Sequence, residues 1–241
     1  MPHSIDLNAD LGEGFGDDLA LLKVLTSASI ACGAHAGSPV VMRDTVTASR
    51  AEAVRIGAHV SYPDRAGFGR ATMAIDPAVL AAEIVAQIGA LAAFAGRDLV
   101  YVKAHGALYN TMADDESTAA AVVEAIVTSQ SSLRLDLAML ILPGCVGAEV
   151  AQSRGLQVFA EGFADRASTA TGRLVPRDQH GAVLHDPSAV AAHAVAVAAG
   201  GLVDSMCVHG DTPGALNIAV AVRRALVSRG FAIAPFVAAH G

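Results

Sequence analysis

The 241-residue chain has no tryptophan, only three tyrosines, and 16% charged residues. Its core must therefore be built from aliphatic side chains, and a hydrophobic fraction of 53% supplies them. A chain of this composition folds compactly rather than remaining disordered. The formal net charge of −7 is not broken by any run of Lys and Arg. That leaves no electrostatic footprint for a phosphate backbone, so nucleic acid is not an expected partner. Neither GxxxxGK[ST] nor a GxGxxG after a strand occurs, which excludes the familiar nucleotide cradles. The three cysteines, Cys32, Cys145 and Cys207, lie in apolar contexts without CxxC spacing and are expected to be reduced and buried. The opening "MPHSIDLNADLGEG" shows no basic segment followed by an apolar one. The stretch read as most apolar, Ala189–Val203, is too short to span a bilayer. The expectation is a soluble, cytoplasmic protein with no membrane contact.

Short Val/Ile/Leu runs alternate with longer Ala-rich segments of helical period, the pattern of repeated βα units on a mostly parallel sheet. Strands are predicted at Ser4–Ala9, Ser29–Cys32, Gly57–Val60, Leu99–Lys103, Ala138–Leu142, Gln157–Glu161 and Ser205–Val208, with an eighth candidate at Ala232–Val237. Helices are predicted over about 18–26, 39–55, 77–95, 116–129, 146–154, 187–199 and 213–229. Four of them carry a capping residue before proline: Ser38-Pro39, Asp76-Pro77, Asp186-Pro187 and Thr212-Pro213. The capping oxygen satisfies a free N–H of the first turn, and proline at the first helical position loses no needed donor. No linker divides the chain, so residues 1–241 are predicted to form one domain. Seven or eight βα units favour a closed barrel, with a doubly wound open sheet as the alternative that periodicity does not exclude.

In parallel α/β architectures the loops after the strands gather at one face, where chemistry is done. Four strands here end in histidine, in "IACGAHAG", "IGAHVSYPD", "YVKAHGALYN" and "MCVHGDTPG". The candidate catalytic residues are Asp10, His35, His59, Lys103, His105, Asp165 and His209. The candidate substrate-binding residues are Asn8, Arg70, Glu161, Arg166 and Asp211. Histidine suits proton transfer or metal ligation, and a neighbouring carboxylate orients the ring or serves as the base. Any one of these histidines could be structural, but four at equivalent positions point to a shared polar site. The polar segment 163–186 carries Arg166, Arg173 and Arg177, which read equally as anion-binding groups or as solvated loop charges. His193, on an Ala-rich helix, reads as structural.

Six stretches in chain order, "DLNADLGEGFG", "SIACGAHAGSP", "IGAHVSYPDRAGFGR", "VKAHGALYN", "EGFADRASTATGRLVPR" and "CVHGDTPGA", resemble the successive signatures of the LamB/YcsF family. The resemblance implies a β/α barrel of seven strands, like those of glycoside hydrolases and polysaccharide deacetylases. It also implies the A-subunit role in a 5-oxoprolinase, which opens the lactam of 5-oxo-L-proline to L-glutamate together with B and C subunits. ATP with Mg2+ would be the co-substrate, bound here or on a partner. By motif position the resemblance places Asp10, His35, His59, His105, Asp165, Arg166 and His209 in the pocket. Within it, Asp10 or His59 would deprotonate water, Lys103 and His105 would stabilise an oxyanion or phosphate, and Arg166 would hold a carboxylate. No bound metal belongs to this reading. Two other functions compete: a metal-dependent amide or N-acetyl hydrolase using Asp10, His59 and His105 as ligands, and a non-catalytic binding or regulatory barrel.

Overall fold

The structure, a computed structural model, describes residues 4–15 and 17–238. The outermost residues of the predicted domain, 1–3 and 239–241, and Gly16 of the "GEGFG" loop lie outside this range.

Eight parallel-paired strands are present: β1 (Ser4–Leu11), β2 (Ser27–Ala31), β3 (Arg55–Val60), β4 (Leu99–Ala104), β5 (Ala138–Ile141), β6 (Val158–Phe163), β7 (Ser205–Val208) and β8 (Ala232–Ile233). The first seven pair in sequence order, and β1 bonds both β2 and β7, so the sheet closes on itself. The open-sheet alternative is thereby excluded. The two-residue β8 pairs only with Ser4 and Ile5 at the start of β1 and does not enter the barrel wall.

The helices are α1 (Asp18–Leu22), α2 (Pro39–Ala51), α3 (Pro77–Ala95), α4 (Gly106–Met112), α5 (Glu116–Leu133), α6 (Val146–Ser153), α7 (Pro187–Ala199) and α8 (Ala215–Ser228). Three predicted caps form: the side chains of Ser38, Asp76 and Asp186 each accept from an N–H of the first turn. The fourth does not. α8 starts at Ala215 behind Gly214, and the Thr212 hydroxyl donates instead to Asp165 Oδ2 at 3.1 Å. α1 is five residues, shorter than expected, and α4 lies outside the predicted helices.

The most apolar long helix is α3 rather than Ala189–Val203; by length and composition it could cross a membrane. In the fold it lies along the barrel, with Leu80, Ile84, Ile88 and Leu91 buried on one face. Each contributes about 1.5–3 kcal/mol. Gln87 on the same face clamps the end of β3, accepting from Ser61 N–H and donating to Ser61 C=O, both at 2.8 Å.

The barrel interior departs from the apolar strands expected. The two-residue period of β1 sends Leu7, Ala9 and Leu11 into the hydrophobic layer beneath the helices. Asp6, Asn8 and Asp10 alternate with them and meet a polar set inside the barrel. Asp6 accepts from Thr26, Ser27 and Ser205, and Ser29 pairs with Tyr101 Oη at 3.1 Å. The Tyr101 ring fits because β3 has Gly57 opposite; a Cβ there would lie 2.2 Å from the ring.

Candidate active site at the C-terminal ends of the strands

Lys103, 2% exposed, points from β4 across the barrel. Its Nζ lies 2.8 Å from Asp10 Oδ1 and 2.7 Å from Glu161 Oε1, with Asn8 Oδ1 at 3.4 Å and Cys207 Sγ at 3.3 Å. Burial disfavours the ammonium, but the facing carboxylates outweigh it and hold the Lys103 pKa well above the usual value. The same pairing acts on Asp10: burial pushes its pKa up, yet His59 and Lys103 keep it well below the ordinary carboxylate range. With its protons directed at these partners, Lys103 serves as the counter-ion of Asp10 and Glu161, and it also lines the cavity. Asn8 donates to Glu161 Oε1 and Ser205 Oγ, so Asn8 and Glu161 support Lys103 from below the cavity floor instead of meeting a substrate.

Above this layer three histidines converge. His59 Nδ1 faces the backbone carbonyl of Lys103 at 3.3 Å, and His105 Nε2 faces that of Phe68 at 2.9 Å. A carbonyl only accepts, so both nitrogens carry hydrogen. The remaining nitrogens, His59 Nε2 and His105 Nδ1, face each other at 2.9 Å. Phe68 has φ +54°, a costly conformation for a non-glycine residue, and it aims the carbonyl that fixes His105. The loop lies this close because Gly69 (φ +66°) and Gly106 (φ +57°) lack side chains. A Cβ on Gly69 would sit 2.9 Å from the His105 ring, and one on Gly106 would sit 2.5 Å from Gly69 O. His35 stacks flat on His105, centroids 3.8 Å apart.

The cluster contains one residue that the sequence reading missed. Glu13, on the glycine-rich loop after β1, places Oε1 2.9 Å from His35 Nε2, 3.3 Å from His105 Nδ1 and 3.7 Å from His59 Nε2. Burial, reinforced by the charges of Asp10 and Asp211 and opposed by His59, pushes its pKa up to about 7. Burial pulls His35 down to about 4 and drives His105 far below the usual histidine range, so both are neutral at pH 7. The available signal was an acid three residues beyond Asp10, between two glycines.

On the other wall, His209 Nδ1 lies 2.8 Å from Asp165 Oδ1, and Thr212 holds the second oxygen of that carboxylate. Burial pushes the Asp165 pKa up, but His209 and Thr212 bring it below the ordinary range. The carboxylate thereby fixes the His209 tautomer and leaves Nε2 free for proton transfer.

Between the walls is a cavity of about 480 Å³ lined by Asp10, His59, His105, His209 and arginines from two loops. Segment 163–186 crosses the mouth and is latched by Arg173, which donates to Asp114 Oδ1 (2.7 Å) and Ala113 O (3.0 Å). Arg166 donates to Val175 O and Ala182 O, bracing the segment from within. Arg70 and Arg177 both pair with Asp211, which therefore joins two loops. His193 Nδ1 bonds Ala164 O at 2.9 Å, a structural contact as expected. All three cysteines are buried; burial pushes Cys32 up to about 12 and Cys207 well above its usual value, so neither is an activated thiolate.

The chain resembles known proteins along nearly its whole length. The 5-oxoprolinase A subunit of Streptomyces avermitilis is 49% identical, covering 96% of this chain and 99% of its own. That of Cutibacterium acnes is 47% identical, covering 94% and 96%. Among solved structures, a lactam utilization protein from Thermus thermophilus superposes with a TM-score of 0.87 at 36% identity, over 96% of this chain and 99% of that one. The catalytic domain of a peptidoglycan N-acetylglucosamine deacetylase from Eubacterium rectale gives 0.53 at 12% identity, over 100% of this chain and 91% of that one; this is a likeness of fold alone. The LamB/YcsF family profile matches residues 5–241, and with relatives near half identity from end to end the chain belongs to the LamB/YcsF family.

Proposed function

We propose that this chain is the A subunit of an ATP-dependent 5-oxoprolinase, working in the cytoplasm with B and C subunits to convert 5-oxo-L-proline to L-glutamate. The observation that carries this reading is the strand-end cavity, in a chain nearly half identical to proteins of that name. It has a proton-accepting wall at Asp10, His59 and His105, backed by Glu13, and a tautomer-fixed histidine opposite.

A five-membered lactam resists water because its nitrogen donates into the carbonyl. Transfer of a phosphoryl group from ATP to the lactam oxygen removes that resistance and releases ADP. Water then adds to the activated carbon and loses its proton to the carboxylate and histidine wall. Depressed in pKa, Asp10 is ionised and holds His59 in place beside the cavity, so this pair is suited to take the proton. Collapse of the tetrahedral adduct breaks the C–N bond as the ring nitrogen takes a proton from His209 Nε2, which must first have accepted one, since the Nδ1 hydrogen is held by Asp165. The product is an acyl phosphate, which a second water hydrolyses to glutamate and phosphate. Arg70, Arg166 and Arg177 at the mouth suit the substrate carboxylate or the phosphoryl group. No P-loop is present, in keeping with ATP being handled jointly with a partner.

The test is glutamate release from 5-oxoproline and ATP by this protein alone, by its B and C partners, and by all three together. Release from the full mixture only is expected. No release from any mixture would refute the reading.

A further inference from the structure

We propose that Glu13, His59 and His105, with Asp10 alongside, form a binding site for one divalent transition-metal ion of the zinc class. Backbone carbonyls commit the hydrogens of His59 Nδ1 and His105 Nε2, so with both rings neutral the two nitrogens that face each other at 2.9 Å both present lone pairs. Glu13 Oε1 lies 3.3 Å from one and 3.7 Å from the other, and Asp10 Oδ2 lies 3.4 Å from His59 Nε2. Three acceptors thus surround one small volume, with the Asp10 carboxylate beside one of them. Lys103 does not relieve them, because its ammonium is turned to the other oxygen of Asp10. Among the described residues the one side chain reaching Glu13 Oε1 from outside is His35, through Nε2 at 2.9 Å.

Such a set repels itself unless a cation sits within it, and its dimensions fit a metal. A tetrahedral ion with bonds of about 2.0–2.1 Å separates its donor atoms by about 3.3–3.4 Å, and the separations here are 2.9, 3.3 and 3.7 Å. The donors are two imidazoles and carboxylate oxygen, a set that suits zinc and its neighbours rather than calcium or magnesium. The surroundings resemble a finished second shell: each ligating ring gives its other N–H to a carbonyl, and His35 orients the glutamate. His35 is not itself a ligand, because its ring lies parallel to that of His105, 3.8 Å away, and its in-plane lone pairs do not converge with those of His105. This site stands on the donor geometry and is independent of which substrate the cavity takes.

The experiment uses tag-free full-length protein, stripped with chelator and then titrated calorimetrically with Zn2+ and, separately, with Co2+ while visible absorption is recorded. Uptake of one ion per chain, an intense visible band of four-coordinate cobalt, and a higher melting temperature with metal are expected. Glu13→Gln and His105→Asn, checked for folding by circular dichroism, should each weaken binding by at least about tenfold. The double variant His180→Asn/His185→Asn, on the exposed part of segment 163–186, should bind as the parent does. Should either site variant fail to fold, Asp10→Asn takes its place under the same criterion. Absence of stoichiometric uptake would mean that a shared proton fills the position and would overturn the proposal, as would uptake that the site variants leave unchanged.

Discussion

Replacing Lys103 with methionine tests whether its ammonium holds the barrel interior together. The substitution nearly preserves volume, so the lost quantity is charge. Asp10 and Glu161, now 2.8 and 2.7 Å from that charge, would be left buried without a cation. Removing one partner of a buried ion pair costs about 3–5 kcal/mol, and in a chain of this size about 2–4 °C of melting temperature follows each kcal/mol. A fall of roughly 6–20 °C at pH 8 is therefore expected. Without the ammonium both carboxylates would have folded-state pKa values above their unfolded ones, so the deficit must shrink as pH falls and they take up protons. Combining Lys103→Met with Glu161→Gln removes one stranded charge and should restore part of the loss. The assay is thermal and urea unfolding of the three proteins at pH 8 and pH 5. A single variant melting within about 2 °C of the parent at pH 8 would refute the reasoning, because it would mean that water already screens this cluster.

Asp6, buried and pushed up by desolvation to a pKa of about 6 against the opposing hydrogen bonds of three hydroxyls, gives the opposite sign. Its folded pKa exceeds its unfolded one, so its favourable contribution is complete below about pH 4 and is lost as pH rises through 6. In urea unfolding the stability of the parent relative to Asp6→Asn should fall by about 3 kcal/mol across that window, and a pH-independent difference would contradict the assignment. Gly69→Ala should cost about 1–3 kcal/mol, because φ is +66° and the new methyl would meet Ser61 Oγ at 2.3 Å and the His105 ring at 2.9 Å; an unchanged melting temperature would show that the loop yields freely. In the assembled enzyme, Asp165→Asn should lower kcat by roughly 10²–10⁴-fold with a small change in KM, because the His209 tautomer is no longer fixed. Equal loss in both constants would point to a role in binding instead.

Several site positions were legible because strand-end chemistry is a local property. His35, His59, His105 and His209 each follow or end an apolar run and precede or flank glycine, and all four stand at the predicted face. Three helix starts were equally plain, because a capping side chain and proline act within one turn. Where the reading failed, partners distant in the chain decided. Thr212 had the form of a cap, but a carboxylate 47 residues away claimed its hydroxyl. Glu13 carried no signal of its own until three strand ends brought histidines from positions 35, 59 and 105 around it. Asn8 and Glu161 occupy positions that a substrate group would suit, yet they are held by Ser205 and Lys103 across the barrel.

The sequence by itself determined the βα alternation, most helix starts, the seven strands of the wall and the end of the barrel where ionisable groups gather. These follow from periods of 2 and 3.6 residues and from capping within a turn, all local effects. Only the tertiary structure decided that the sheet closes, that its lumen is polar and that Lys103 is the counter-ion of Asp10 and Glu161. It also decided that Glu13, His59 and His105 meet at one point. Closure depends on β1 bonding both β2 and β7, and the charge states depend on contacts spanning 93 residues from Lys103 to Asp10 and 153 from Asn8 to Glu161. Burial and Coulomb interaction act through space, and no spacing along the chain records which side chains they will join.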